Sequence, residues 1–339
     1  IVEQMSYHRT HYQQEIPFIL MNSAMTSADT KQALKGRFEF TELMQHMFPR
    51  LDMRSKGRPP LSDDHCYNPP GHGDLYWALM ASGLLDDLLE KGIEYIFVSN
   101  SDNLGATLDP RFLGMMVSNK LDFLMETTPK TLMDVKGGTL VKYHDQLTLM
   151  ERAQVPDRHL PDFEDIQHFR VFNTNNLWIR LRAVKDLFDK GQFKLPLIVN
   201  PKQVEGRSVV QLETAMGAAI SLFKNASSVV VDRRRFLPVK HVKDLLIMQS
   251  DLIEEPFPGH LVLRSDRASF LPRISLDHHY NTLAGYQSRF KEVPSMKDME
   301  SLRISGDFSF GKNVAFKGHV MLDTDEGSSE FIQDRTLSS

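Results

Sequence analysis

Glu94-Tyr-Ile-Phe-Val-Ser99, continued by Asn100-Ser-Asp102-Asn-Leu-Gly105, is the stretch that decides the fold. Residues 94–99 form a short, largely apolar run between Gly92 and Asn100, the length and composition of a buried strand. A polar cluster follows at once. In open α/β sheets ligands gather at the carboxyl ends of strands, so Asn100 and Asp102 stand where a ligand belongs. Asp102 offers a hard carboxylate oxygen suited to Mg2+, which takes carboxylate and phosphate oxygens. The plain alternative is an Asx-type turn leaving the strand.

Outward from this strand, apolar runs alternate with amphipathic stretches. Residues 16–21 read as a strand and 27–35 as a helix. Gly73-Asp74 opens a second helix, whose Leu75, Leu79, Gly83, Leu84 and Leu88 keep roughly helical spacing. Residues 121–125 read as another buried strand. Strands alternating with helices predict an α/β domain with a largely parallel sheet. Residues 139–143 and 147–150 flank His144-Asp145-Gln146 and predict a hairpin. Residues 211–223 predict a helix, with Leu212, Ala215, Met216, Ala219, Ile220 and Phe223 on one side. The character changes near Glu254, where Pro256, Pro258 and Pro272 punctuate a region of little helical periodicity. A boundary there gives domains of 1–258 and 259–339. Residues 302–322, with glycines at 306, 311 and 318, read as β structure with tight turns, the pattern of a first β-helix coil. The tail from Asp323 is polar and is expected to be poorly ordered.

Composition excludes several classes. The 339 residues carry 40 basic and 44 acidic side chains, a net charge of -4. No global basic field recommends a nucleic-acid duplex or an anionic membrane, so any anionic ligand must be held by local groups. Cys66 is the only cysteine, which rules out an internal disulfide and fits a reducing cytoplasm. No apolar run reaches membrane-spanning length. Residues 1–10 lack a signal pattern, and a chain opening on Ile1 leads us to expect the native start elsewhere. The GxxxxGKS/T, HExxH and GxSxG patterns are missing, so a P-loop, a zinc-protease helix and a serine nucleophile elbow have no support.

Four further constellations could carry chemistry. In Asn68-Pro-Pro-Gly-His-Gly-Asp74, glycines let a backbone approach a flat ligand and leave an imidazole to meet a phosphate. A Pro/Gly turn closed by a capping Asp74 is the simpler account. Asp134-Val-Lys-Gly137-Gly138-Thr139 could bring backbone to a ligand or merely turn. In Phe172-Asn173-Thr-Asn175-Asn176-Leu-Trp178, the asparagines offer paired donors and acceptors suited to sugar hydroxyls, although Asn-rich turns are common. Arg233-Arg-Arg235-Phe-Leu-Pro-Val-Lys240 could wall a phosphate site, while a solvated basic loop is the ordinary outcome.

Together these segments resemble the UTP–glucose-1-phosphate uridylyltransferase family. PPGHGDLY at 69–76, YIFVSNSDNLGATLD at 95–109, DVKGGTL at 134–140, FNTNNLWI at 172–179, QLETAMGAAI at 211–220 and RFLPVK at 235–240 match its wording in order. ISGDFSFGKNVAFKG at 304–318 resembles the start of its C-terminal β-helix. The resemblance implies a nucleotide-diphosphosugar transferase domain with a Rossmann-like mixed sheet, followed by a left-handed β-helix. It implies Mg2+-dependent conversion of UTP and glucose 1-phosphate into UDP-glucose and pyrophosphate in the cytoplasm, and self-association through the C-terminal β region. Gln45 falls where the family reads uracil, with Gly71 beside it. Leu43-Met44 stand where many members have Phe-Asn. His72 and Asn100 match ligands of glucose 1-phosphate, and Asp102 the magnesium ligand. Gly138, Glu151, Asn173 and Asn175 match positions that hold sugar hydroxyls, and Lys240 the lysine that reaches the phosphates. The family's loop of the form LNGGLGTSMG, followed by a lysine, does not occur in these residues, and Ile1 corresponds to a point downstream of it. The expectation is a truncated chain or residues that begin where order begins. The rival readings are a UDP-sugar or UDP-N-acetylhexosamine pyrophosphorylase, and a nucleotide-sugar binder without catalysis.

Overall fold

The computed structural model describes residues 1–131, 134–267 and 271–338. The chain separates into two compact units, one of residues 8–100 and 108–231, the other of residues 1–7, 101–107 and 232–339. The Ile253–Phe257 and His260–Leu263 strands pair across the turn at 258–259, where the sequence places its domain boundary.

The 8–231 unit is α/β and centres on four strands in the spatial order Ala226–Val230, Phe123–Pro129, Val171–Arg180, Tyr95–Val98. The sheet is mixed rather than largely parallel. Ala226–Val230 runs parallel to Phe123–Pro129, but Val171–Arg180 is antiparallel to both of its neighbours. Alternation along these strands sends side chains to two separate cores. Phe123, Met125, Leu177 and Ile179 join Tyr76, Leu79, Leu85 and Ile220 in the main core. Leu124 and Trp178, on the other face, pack with Met116 of the Pro110–Ser118 helix, which Asp109 caps by accepting from Arg111 N–H.

The strand at Tyr95–Val98 and the hairpin of Thr139–Tyr143 with Gln146–Met150 form as the sequence predicts. So do the strand at Ile19–Asn22 and the helix at Ser27–Leu34. The helix opened by Gly73-Asp74 is broken in two, Leu75–Ala81 and Leu84–Glu90, because Gly83 takes a left-handed φ of 78° between them. The expected helix over 211–223 is overturned. Arg207–Glu213 is a strand antiparallel to Ile198–Val204, and Met216–Leu222 is a 3-10 helix.

In the other unit, Arg273–Leu276, Ser295–Ser305, Val314–Asp323 and Arg335–Ser338 form one parallel sheet in that order. Asp307–Phe310 and Ser329–Ile332 form a second parallel pair. Met296, Leu302, Phe308, Phe310, Phe316 and Ile332 fill the core of this unit. From Ser295 onward, successive strands alternate between the two sheets, so each turn of chain stacks on its predecessor. The tail is therefore ordered by pairing as far as Ser338, contrary to expectation, and its last residue, Ser339, lies outside the described residues. No helix among the described residues is long and apolar enough to cross a membrane.

Candidate active site

A close backbone approach in the 8–231 unit joins the Pro70–Asp74 turn to Thr214. Gly73 N–H donates to the Thr214 carbonyl at 2.9 Å, and Thr214 N–H donates to that of Pro70 at 2.8 Å. Gly71 holds φ at 79°, and a Cβ there would stand 2.5 Å from the Thr214 oxygen, so both its conformation and its neighbour call for glycine. These crossing bonds explain why 211–223 abandons helix at Thr214.

The same crossing orients His72. Met216 N–H donates to His72 Nδ1 at 2.9 Å, which leaves the imidazole proton on Nε2. Burial pushes the His72 pKa below its ordinary value, so the ring is a neutral donor. Gln45 follows the Thr41–Met44 strand, and its Nε2 donates to the Gly71 carbonyl at 2.7 Å. Asp74 does not cap the helix that follows it. Its buried carboxylate accepts from His46 N–H at 2.7 Å and lies 2.9 Å from His46 Nδ1.

A second group continues from this one. Gly217 follows Met216, and a Cβ on it would lie 3.1 Å from Asn173 Nδ2. Asn173 N–H donates to the Gly138 carbonyl at 2.9 Å. A Cβ on Gly138 would lie 2.7 Å from Glu151 Oε1. Burial raises the Glu151 pKa, as it does for any carboxyl drawn out of water. Asn175 adopts φ of 59°, exchanging bonds with Asn173: its N–H reaches Asn173 Oδ1 at 2.9 Å and its Oδ1 accepts from Asn173 Nδ2 at 2.8 Å. Asn100 is half-buried two residues beyond Val98, which pairs with Leu177 at the Asn175 end of the sheet. Gln45, Gly71, His72, Gly138, Glu151, Asn173 and Asn175 thus belong to one connected surface of this unit.

Asp102 and Lys240 belong to the other unit and are neighbours there. Val239 N–H donates to the Asp102 carbonyl at 2.9 Å. Asn103 fastens the two segments. Its Oδ1 accepts from Leu237 N–H at 2.8 Å and Gly105 N–H at 3.2 Å, while its Nδ2 donates to the Arg235 carbonyl at 3.1 Å. The arginine run is largely occupied by structure. Arg235 donates to Thr107 Oγ1 and carbonyl, both at 2.7 Å; Arg233 lies over Phe236; Arg234 pairs with Asp232. Lys240 is exposed, and its side chain lines a cavity of about 490 Å³ with His241, Lys243, Tyr280 and Asn281. Asp102 presents a half-buried carboxylate, the kind of hard oxygen donor that Mg2+ takes.

Sequence reading missed His46, whose partner Asp74 had a ready explanation as a cap. It also missed Glu126, a fully buried carboxylate that accepts from Trp178 Nε1 at 2.9 Å and Asn176 Nδ2 at 3.1 Å. A glutamate directly after the largely apolar run 121–125 was the available signal.

Known proteins resemble this chain over nearly its whole length. The sequence model of the UTP–glucose-1-phosphate uridylyltransferase family matches residues 1–317. The enzyme of that name from Musa acuminata is 42% identical, over 98% of this chain and 73% of its own length. That from Hordeum vulgare is 43% identical, over 98% and 72%. A UDP-glucose pyrophosphorylase variant from Leishmania major, solved with UDP-glucose, superposes with a TM-score of 0.89 at 38% identity, covering 99% of this chain and 77% of that one. The Trypanosoma brucei UDP-glucose phosphorylase gives a TM-score of 0.87 at 37% identity, covering 99% and 77%. The chain belongs to the UTP–glucose-1-phosphate uridylyltransferase family.

Proposed function

We infer that this protein transfers the uridylyl group of UTP to glucose 1-phosphate, releasing UDP-glucose and pyrophosphate. The observation that carries the reading is the connected surface running from Gln45 and Gly71 through His72 to Asn173 and Glu151, in a chain of this family. Gln45 and Gly71 would meet the uracil. Asn100, Gly138, Glu151, Asn173 and Asn175 would hold the sugar and its phosphate. His72 would donate Nε2–H to a phosphoryl oxygen without adding charge.

The chemistry is a displacement in which a phosphate oxygen of glucose 1-phosphate attacks the α-phosphorus of UTP in line with departing pyrophosphate. It needs positioning and positive charge rather than a covalent intermediate. Lys240 would neutralise charge gathering on the phosphates. Asp102 is the residue that would hold Mg2+, which when bound offsets phosphate charge.

Residues 1–258 form the proposed catalytic portion and 259–339 a portion with the character of a left-handed β-helix. Self-association through this second portion belongs to the same reading. The single free cysteine is compatible with a cytoplasmic setting.

The test is a product assay with UTP, Mg2+ and a panel of sugar 1-phosphates. UDP-glucose should dominate. Preference for galactose or N-acetylglucosamine 1-phosphate would move the protein to a different pyrophosphorylase. Binding of UDP-glucose with no turnover would make it a nucleotide-sugar binder.

A further inference from the structure

Glu126 lies behind the asparagine cluster. Asn173 pairs with Thr127, whose side chain shares the sheet face of Phe123 and Met125. Glu126 is on the opposite face with Leu124 and Trp178. Between Asn173 and Asn176 the register slips: these residues oppose Thr127 and Glu126, which are adjacent in the chain. Thr174 and Asn175 are therefore extruded as a bulge.

Glu126 grips that bulge through three residues. Its carbonyl accepts from Thr174 Oγ1 at 2.7 Å, and Thr174 Oγ1 in turn accepts from Asn176 N–H at 3.2 Å. Its carboxylate accepts from Asn176 Nδ2 and Trp178 Nε1. A carboxylate with no exposed surface is costly unless its bonds accomplish something a hydrophobe could not. Here they fix the Asn176 end of an extruded loop whose Thr174 is held by the Glu126 carbonyl, and in which Asn175, a residue with a Cβ, sits in left-handed conformation.

We propose that Glu126 is a positioning residue for the sugar, holding the Asn173–Asn176 bulge from the rear of the sheet so that the Asn173 and Asn175 amides face the glucose hydroxyls. The proposal rests on the reading of those two asparagines as sugar contacts.

Titration calorimetry of the full chain with UDP-glucose and with UDP separates the sugar's share of affinity from the nucleotide's. Glu126→Gln should weaken UDP-glucose by about tenfold while leaving UDP within about twofold. The exchange Glu126→Gln with Asn176→Asp restores donor and acceptor in reversed places and should return UDP-glucose affinity to within about threefold of the parent. Thr174→Val is a milder lesion of the same network, readable should Glu126→Gln not fold, and should weaken UDP-glucose alone. Asn173→Ala reports on the underlying reading. If Asn173→Ala weakens UDP-glucose but folded Glu126→Gln and Thr174→Val do not, the role of Glu126 is overturned alone. If Asn173→Ala changes nothing, the sugar reading falls and the proposal with it. Equal losses for UDP and UDP-glucose would make Glu126 a purely structural residue and also overturn it, as would a folded exchange variant that fails to recover.

Discussion

His72 accepts the main-chain N–H of Met216 on Nδ1 at 2.9 Å, and this bond decides what the imidazole can do. With Nδ1 occupied as an acceptor, the neutral ring keeps its proton on Nε2. Burial lowers its pKa, so the unfolded chain takes up a proton at a higher pH than the folded one does. Between those two pKa values the unfolded state binds more protons, and stability falls as pH falls. The loss begins near the ordinary histidine value of 6.5 and is complete below the folded value. Thermal melts between pH 7.5 and about 5 should therefore show a steeper fall for the parent than for His72→Asn.

Gly138→Ala should separate binding from stability. The three atoms nearest the new Cβ all belong to the Glu151 carboxylate, the far end of a flexible side chain, which can swing aside. Stability should drop by no more than about 1 kcal/mol, while UDP-glucose affinity falls about tenfold as Glu151 leaves its place. Calorimetry with UDP and UDP-glucose, paired with a urea melt, checks both halves.

Lys240→Ala should cost on the order of 10²–10³ in kcat, the scale of losing one charge-stabilising contact. Lys240 is exposed, so the melting temperature should hardly move. Turnover within a few-fold of the parent would remove Lys240 from the mechanism.

Asn103→Ala should unfold more easily by about 3 kcal/mol, because it strips buried partners from Leu237, Gly105 and Arg235 together. Chemical denaturation measures the loss. Asp102 and Lys240 lie on the two segments Asn103 joins, so the Mg2+ dependence of turnover should shift to higher concentration as well.

The sequence was informative where local forces govern. The apolar run ending at Val98 with Asn100 and Asp102 behind it, and the hairpin about His144 and Asp145, which both take positive φ, needed no distant partner. It misled where distant partners decide. Leu212, Ala215, Met216, Ala219, Ile220 and Phe223 have helical spacing, yet the backbone at Thr214 and Met216 is engaged by Pro70, Gly73 and His72. Helical periodicity cannot anticipate a main chain recruited by residues more than a hundred positions away. The tail from Asp323 looked unstructured because its order comes from parallel partners one coil earlier, such as Val314 opposite Arg335. The family wording at 69–76 and 172–179 identified candidate ligand residues but said nothing of Glu126 or His46, whose roles emerge only from what stands opposite them.

The bulge at Thr174 and Asn175 adds two residues, and two is an even number. Side chains along a strand alternate, so one extra residue would have turned Asn176, Leu177, Trp178 and Ile179 inside out. Two leave the parity of everything downstream untouched: Leu177 and Ile179 still enter one core and Trp178 the other. The detour is thereby insulated from the scaffold that carries it. Selection could lengthen, shorten or rewrite it in steps of two without renegotiating the interior, which gives a uridylyltransferase of this family a modular route to a different sugar.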